Sequence, residues 1–243
     1  MNRYRVATAE LASAQKSGAG VPAYLRWVNR GLGRRAAAAA YVVGLSPNAV
    51  TLISGVVSAG GMAVLVFLPL APGTALAAML LFLAGYALDS ADGQLARLTN
   101  RGSKAGEWLD HVVDSVRLPL VHLAIAVCLW RAGLPLWSVA VALLFLVLSS
   151  AWFFAQTLAG KLSAAASDDG SAAEGTPDWV SFAKIPYDVG TLYVTIAALA
   201  YPPLFLVLYT GLFIVTAGVA ALSLRRKYQA LIGEQSRDRV REG

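Results

Sequence analysis

The chain has 243 residues, 57% of them hydrophobic and only 14% charged, with a formal net charge of +6 at pH 7. So little charge excludes an ordinary soluble domain and fits a polytopic helical membrane protein. The cations also argue against a nucleic-acid partner: seven Lys/Arg precede the first apolar run and six follow the last, which suits orientation in a bilayer and attraction to anionic headgroups.

Residues 1–21 read as a disordered cytoplasmic tail, with no short apolar segment and small-residue cleavage site, so no cleavable signal peptide is expected. Residues 22–44 mix Tyr24, Leu25, Trp27, Val28 and Leu32 with Arg26, Arg30, Arg34 and Arg35. That pattern predicts an amphipathic helix lying at the membrane interface. Ser46 followed by Pro47 then reads as an N-cap with proline at the first helical position.

Apolar runs follow at about 48–68, 74–97, 105–130, 136–159, 185–201 and 204–224, each near the ~20 residues needed to cross a ~30 Å hydrocarbon core. Pro69, Pro72, Pro135, Pro202 and Pro203 punctuate the short connections. Those connections carry only Arg131 as a cation, whereas the opposite linkers carry Arg101, Lys104, Lys161 and Lys184. The asymmetry predicts six spans with both termini cytoplasmic, in a bacterial-type cytoplasmic membrane. Residues 161–184 read as a flexible Ala/Ser/Gly/Asp-rich linker, and 226–243 as a basic cytoplasmic tail. Cys128 reads as a small buried hydrophobe. The expected fold class is all-α: six transmembrane helices preceded by an interfacial helix.

One stretch breaks the apolar pattern. "ALDSADGQLARLTNRGSKAGEWLDHVVDSV", from Ala87 to Val116, carries Asp89, Asp92, Asp110 and Asp114 near the ends of two spans. Spacings of three and four residues bring each pair onto one helix face, and a tight turn can aim the two faces at each other. Carboxylates converging in this way repel unless a cation cancels them. An all-oxygen set suits a hard divalent ion, Mg²⁺ or Mn²⁺ where phosphates complete the shell. Gly93, Ala96 and Gly106 leave room for a close ligand, and Arg97 can fork onto phosphate oxygens.

The eight positions Asp89, Asp92, Gly93, Ala96, Arg97, Gly106, Asp110 and Asp114 resemble the signature of the CDP-alcohol phosphatidyltransferase family, at the family's spacing. Pro47-Asn48 with Thr51 at the start of the first span extends the resemblance. It implies a six-helix catalytic membrane domain over 45–225, with its active site at the cytoplasmic face. It also implies two divalent ions held by Asp89, Asp92, Asp110 and Asp114, with Asp114 as general base on the acceptor hydroxyl. Gly93, Ala96, Arg97 and Gly106 would frame the donor's cytidine and diphosphate, with Asn48 and Thr51 alongside. The implied reaction releases CMP as an alcohol attacks the β-phosphorus of a CDP-alcohol, and members are often homodimers.

Arg117, His111, Lys184 and Tyr187 are candidate acceptor contacts. The preferred donor is CDP-diacylglycerol with a small polar alcohol as acceptor, by analogy to compact prokaryotic members. Glu107, His111 and Ser115 leave open the alternative of a CDP-choline or CDP-ethanolamine donor and diacylglycerol as acceptor. A cation transporter also places carboxylates in a membrane, but it calls for acids near the midplane and broken helices. Helix capping and salt bridges to Arg97, Arg101 and Lys104 are the plainest reading of the same acids.

Overall fold

The computed structural model describes residues 3–13, 21–166, 181–182 and 184–242, and every regular element among them is helical. In chain order these are α1 (Arg3–Ser13), a π-helical turn (Tyr24–Asn29) running into α2 (Arg30–Val43), α3 (Pro47–Phe67), α4 (Pro72–Thr99), α5 (Lys104–Arg131) and α6 (Leu136–Ala166). After a 3₁₀ turn (Ile185–Tyr187) come α7 (Val189–Thr195), a 3₁₀ segment (Ile196–Ala200) and α8 (Pro202–Glu242).

Five helices are long and apolar enough to cross a membrane: α3, α4, α5, α6 and α8. The chain is therefore a multi-pass membrane protein by helix composition. The expected sixth span, over 185–201, is not among these five. Only Val189–Ala200 is apolar helix there, and its α-helical and 3₁₀ rises give about 20 Å, short of ~30 Å. Pro186 and the capping residue Asp188 cut the apolar run on one side and Pro202 on the other. Two further boundaries differ. Residues 3–13, expected to be disordered, form α1, which buries Ala7 and Leu11 against Ala37, Ala38, Val50 and Leu95. The helix expected to end near Leu224 continues to Glu242. Most of the 161–184 linker lies outside the described residues.

The expected helix over 22–44 is present as the π-turn and α2, and it packs along α4. Small residues make that contact close: a Cβ on Gly33 would lie 2.8 Å from the Cβ of Ser90. The Asn29 side-chain amide donates to the Tyr86 carbonyl at 3.1 Å, and the Gln94 amide donates to the Arg30 carbonyl at 3.2 Å.

A second cluster forms the main core. Leu65, Phe82, Ile125, Leu129, Phe145, Ile196, Leu199, Phe205 and Tyr209 are buried together there with Tyr193 of α7. Tyr193 stacks on Phe82 at 5.1 Å and meets Tyr86 edge-on at 5.9 Å. The start of α7 is tied to the start of the chain. Asp188 Oδ1 accepts from the Gly190 N–H at 2.9 Å, and Oδ2 accepts from the Leu25 N–H at 3.0 Å. Gly190 lies flat against the Tyr24 ring, with no room for a Cβ.

Candidate active site

The turn between α4 and α5 is built by local chemistry. Asn100 takes the left-handed conformation (φ 51°, ψ 35°) that ends α4. The Arg101 N–H then reaches back to the Ala96 carbonyl at 2.9 Å, as in a Schellman cap. Ser103 opens α5 by accepting from the Gly106 N–H at 3.0 Å. α3 packs against both α4 and α5, which scarcely approach each other directly. The gap between them is the site.

Asp89, Asp92 and Asp110 each offer a carboxylate oxygen into that gap, and these oxygens lie within 4.8 Å of one another. Asp92 is 7% exposed. Its Oδ2 accepts from the Thr51 hydroxyl at 2.5 Å, and its Oδ1 accepts from the Gly93 N–H at 2.5 Å. Asp114 is oriented differently. Its Oδ1 is bound by the guanidinium of Arg117, which also pairs with Asp89 Oδ1 at 2.9 Å. Arg117 is 5% exposed, and its Nε and Nη1 are buried without hydrogen-bond partners. Four carboxylates facing one resident guanidinium leave an excess of negative charge that suits a bound cation.

Beside the acids lies a cleft of about 500 Å³ lined by Asn48, Thr51, Asp92, Gly93, Ala96, Arg97, Gly106 and Asp110. All the positions carried over for a nucleotide are therefore on one surface. Gly106 permits the close approach of Asn48, since a Cβ there would lie 3.0 Å from its Oδ1. A Cβ on Gly93 would meet nothing nearer than Arg97 Nη1 at 3.6 Å, so the space in front of Gly93 is open to a ligand. Arg101 and Lys104 add positive charge to the cleft. An adjoining cavity of about 220 Å³ brings in Arg30, Ser90 and Gln94. Sequence reasoning assigned Arg30 to an interfacial helix only, because its approach depends on how α2 packs on α4.

A separate chamber of about 270 Å³ lies between α5, α6, α7 and α8. It takes Leu118 and His122 from α5, Trp152 from α6, and Tyr187 and Asp188 from the turn before α7, and among the described residues no lysine or arginine lines it. Tyr187 packs near Trp152, with ring centroids 5.9 Å apart. His122 binds the Tyr209 hydroxyl at 2.7 Å and stacks on Phe145 at 4.0 Å, a packing role that the sequence suggested. Lys184 stands just before the Ile185–Tyr187 turn and does not line the chamber, while Asp188 is engaged with backbone N–H groups. His111 is 3.9 Å from both Glu107 and Asp110, edge-on to Phe153, and outside the lining of the cleft. Lys161, also on α6, pairs with Glu107.

A search among curated proteins returns no match. The family model described as CDP-alcohol phosphatidyltransferase matches residues 44–224, a stretch that begins before α3 and ends within α8. It spans most of the chain and contains the aspartate cluster, the cleft and the chamber. The chain thus belongs to the CDP-alcohol phosphatidyltransferase family, membrane transferases of phospholipid synthesis that use divalent cations and CDP-alcohol substrates.

Proposed function

We propose that this enzyme moves a phosphatidyl group from CDP-diacylglycerol to the hydroxyl of a small uncharged polar alcohol and releases CMP. The observation that carries the reading is the pairing of a cation-lined cleft with an aspartate cluster at one end. Asn48, Thr51, Gly93, Ala96 and Gly106 would receive the cytidine, and Arg97, Arg101 and Lys104 the diphosphate. Asp89, Asp92 and Asp110 would hold Mg²⁺ or Mn²⁺. Such an ion supplies charge stabilisation at the transferring phosphoryl group. Thr51 holds Asp92 in place for that role through its hydrogen bond.

Asp114 is the base in this reading. Arg117 engages its Oδ1, so Oδ2 takes the proton from the acceptor hydroxyl. The new bond forms from that oxygen to the β-phosphorus as the bridging oxygen leaves with CMP. The chamber is the acceptor side. Leu118 and His122 in its wall are one and two turns beyond Asp114 on α5. Ser149, Gln156 and Thr216 offer neutral hydrogen-bonding groups there. A phosphorylated acceptor would need cations, which the described lining lacks, and Arg117 is already committed to two carboxylates.

A second reading has its own support. Leu118, Phe145, Phe153, Leu192 and Leu212 give the chamber an apolar wall, which favours a lipid alcohol attacking a CDP-linked polar alcohol. For the membrane, we read both termini and the α4–α5 turn as cytoplasmic, with α2 at the interface and Ile185–Ala200 completing a short sixth crossing.

One assay separates the two readings. The purified protein is given CDP-diacylglycerol with neutral and phosphorylated alcohols, and separately CDP-choline with diacylglycerol, and products are identified by mass. A phosphodiester formed from CDP-diacylglycerol and a neutral alcohol is expected. A product only from CDP-choline and diacylglycerol replaces the first reading with the second.

A further inference from the structure

We infer that Arg30 of α2 holds the β-phosphate of the donor, the phosphoryl group that is transferred. The inference rests on the proposed reaction and adds to it a residue outside the signature and outside the matched residues 44–224. It starts from the seating of the backbone, not from one side-chain position. Tyr86, Ser90 and Gln94 follow one another at intervals of four along α4, and Asp89, Gly93 and Arg97 do the same beside them. α2 and the turn before it sit on the first row. The Asn29 amide donates to the Tyr86 carbonyl at 3.1 Å, the Gln94 amide donates to the Arg30 carbonyl at 3.2 Å, and a Cβ on Gly33 would lie 2.8 Å from Ser90. The Arg30 backbone is thereby pinned beside the second row. Arg30 lines the cavity of about 220 Å³ together with Asp89, Gly93, Arg97 and Asp110.

The order of groups along the site places the β-phosphate there. The cleft with Asn48 and Gly106 and the cavity with Arg30 and Asp89 share Asp92, Gly93, Arg97 and Asp110. Gly93 leaves open space at this shared wall, so a diphosphate can cross it. With the cytidine in the cleft, the β-phosphorus is the end that enters the cavity. It is also the end that the base must reach. Asp89 lines the cavity, and Arg117 joins Asp89 to Asp114. Arg101 and Lys104 line the cleft, whereas the cations of the cavity among the described residues are Arg30 and Arg97. A guanidinium presents a planar fork that matches two phosphate oxygens. On the transferred group it stabilises charge as the bridging oxygen leaves.

Nucleotide binding to the full-length protein tests this by calorimetry, in a neutral detergent with Mg²⁺ and no added phospholipid, so that no headgroup phosphate competes for the site. CMP lacks the β-phosphate and CDP carries it. Arg30→Gln is expected to weaken CDP binding by about 10–100-fold, the range for a charge-assisted hydrogen-bonded pair, and to leave CMP binding unchanged. Turnover of CDP-diacylglycerol should fall as well, by about 10²-fold or more. Arg30→Lys keeps the charge without the fork and should recover part of the loss. Arg30→Met serves where Arg30→Gln does not fold. Arg35→Gln, on the exposed side of α2, should change neither affinity. Equal losses for CMP and CDP would make Arg30 a general attraction for nucleotides and overturn the inference. A folded Arg30→Gln with wild-type affinity for both also overturns it. Failure of the donor reading would show in the product assay alone, because every CDP-alcohol carries the β-phosphate that Arg30 holds.

Discussion

Thr51 lines the cleft proposed for the cytidine, and its hydroxyl also fixes one oxygen of the most buried acid in the cluster at 2.5 Å. Replacing it leaves Asp92 free to rotate away from the cation position. Thr51→Val should therefore weaken Mn²⁺ binding about 10–100-fold, the usual cost of losing such a supporting bond, with binding read by calorimetry. An unchanged affinity would remove Thr51 from the metal site. The acids themselves trade stability for function. Asp110→Asn removes one of four mutually repelling charges, so the metal-free variant should melt higher than wild type. CMP release should nevertheless fall by at least about 10²–10³-fold, the scale of losing one preorganised electrostatic group. A metal-free variant that melts lower than wild type would contradict the repulsion argument. The eight signature positions could be found from sequence because their spacing is local: three or four residues on a helix define a face. The Thr51–Asp92 bond and the Asp89–Arg117 pair could not. Each joins two helices, and nothing periodic in either helix records the other.

Among the elements, α2 and α4 meet through small side chains, and Gly33 is the tightest point. Gly33→Ala would drive a methyl group into the Ser90 Cβ, which is backbone-anchored and cannot swing aside. Overpacking of this kind costs about 1–3 kcal/mol, so the melting temperature in detergent should fall, whereas Gly31→Ala, facing open space, should leave it unchanged. Equal melting of the two variants would mean that α2 is not held closely on α4. Helix existence was legible throughout the membrane part, since proline connections and apolar runs mark α3 to α5 to within two residues at each end, although α6 runs to Ala166, past its expected end at 159. The sequence was least decisive where hydropathy and helix length part company. The run 185–201 reads as a span by hydropathy, but Pro186 and Asp188 delay the helix start and the last turn tightens to 3₁₀. α1 was invisible because its burial depends on Ala37, Val50 and Leu95, and its own composition is polar.

At the level of the whole molecule, the proposed orientation predicts which loops each side of the membrane can reach. In a Cys128→Ser background, Arg101→Cys in the α4–α5 turn should react with an impermeant thiol reagent only from the cytoplasm. Tyr201→Cys, just before α8 and 64% exposed, should react only from the other side if Ile185–Ala200 completes the sixth crossing. Labelling of both from one side would leave the chain with five crossings and put its termini on opposite faces.

The Asp188 clasp bears on how the chain is assembled in the first place. α7 emerges from the ribosome more than 160 residues after Leu25, the residue whose N–H completes its capping carboxylate. Val189–Ala200, at about 20 Å, falls short of a ~30 Å hydrocarbon core, so its place depends on the contacts it makes with α4 and α8. The N-terminal turn can pack on α4 through Asn29 and Tyr86 before α7 is made, but the Leu25 N–H waits for the Asp188 carboxylate. Synthesis halted after α6 would leave Tyr24 without Gly190 and Leu25 without Asp188, with the ends of the fold still unjoined. The clasp that joins the two ends of the fold can therefore form only after residues 188–190 have been made.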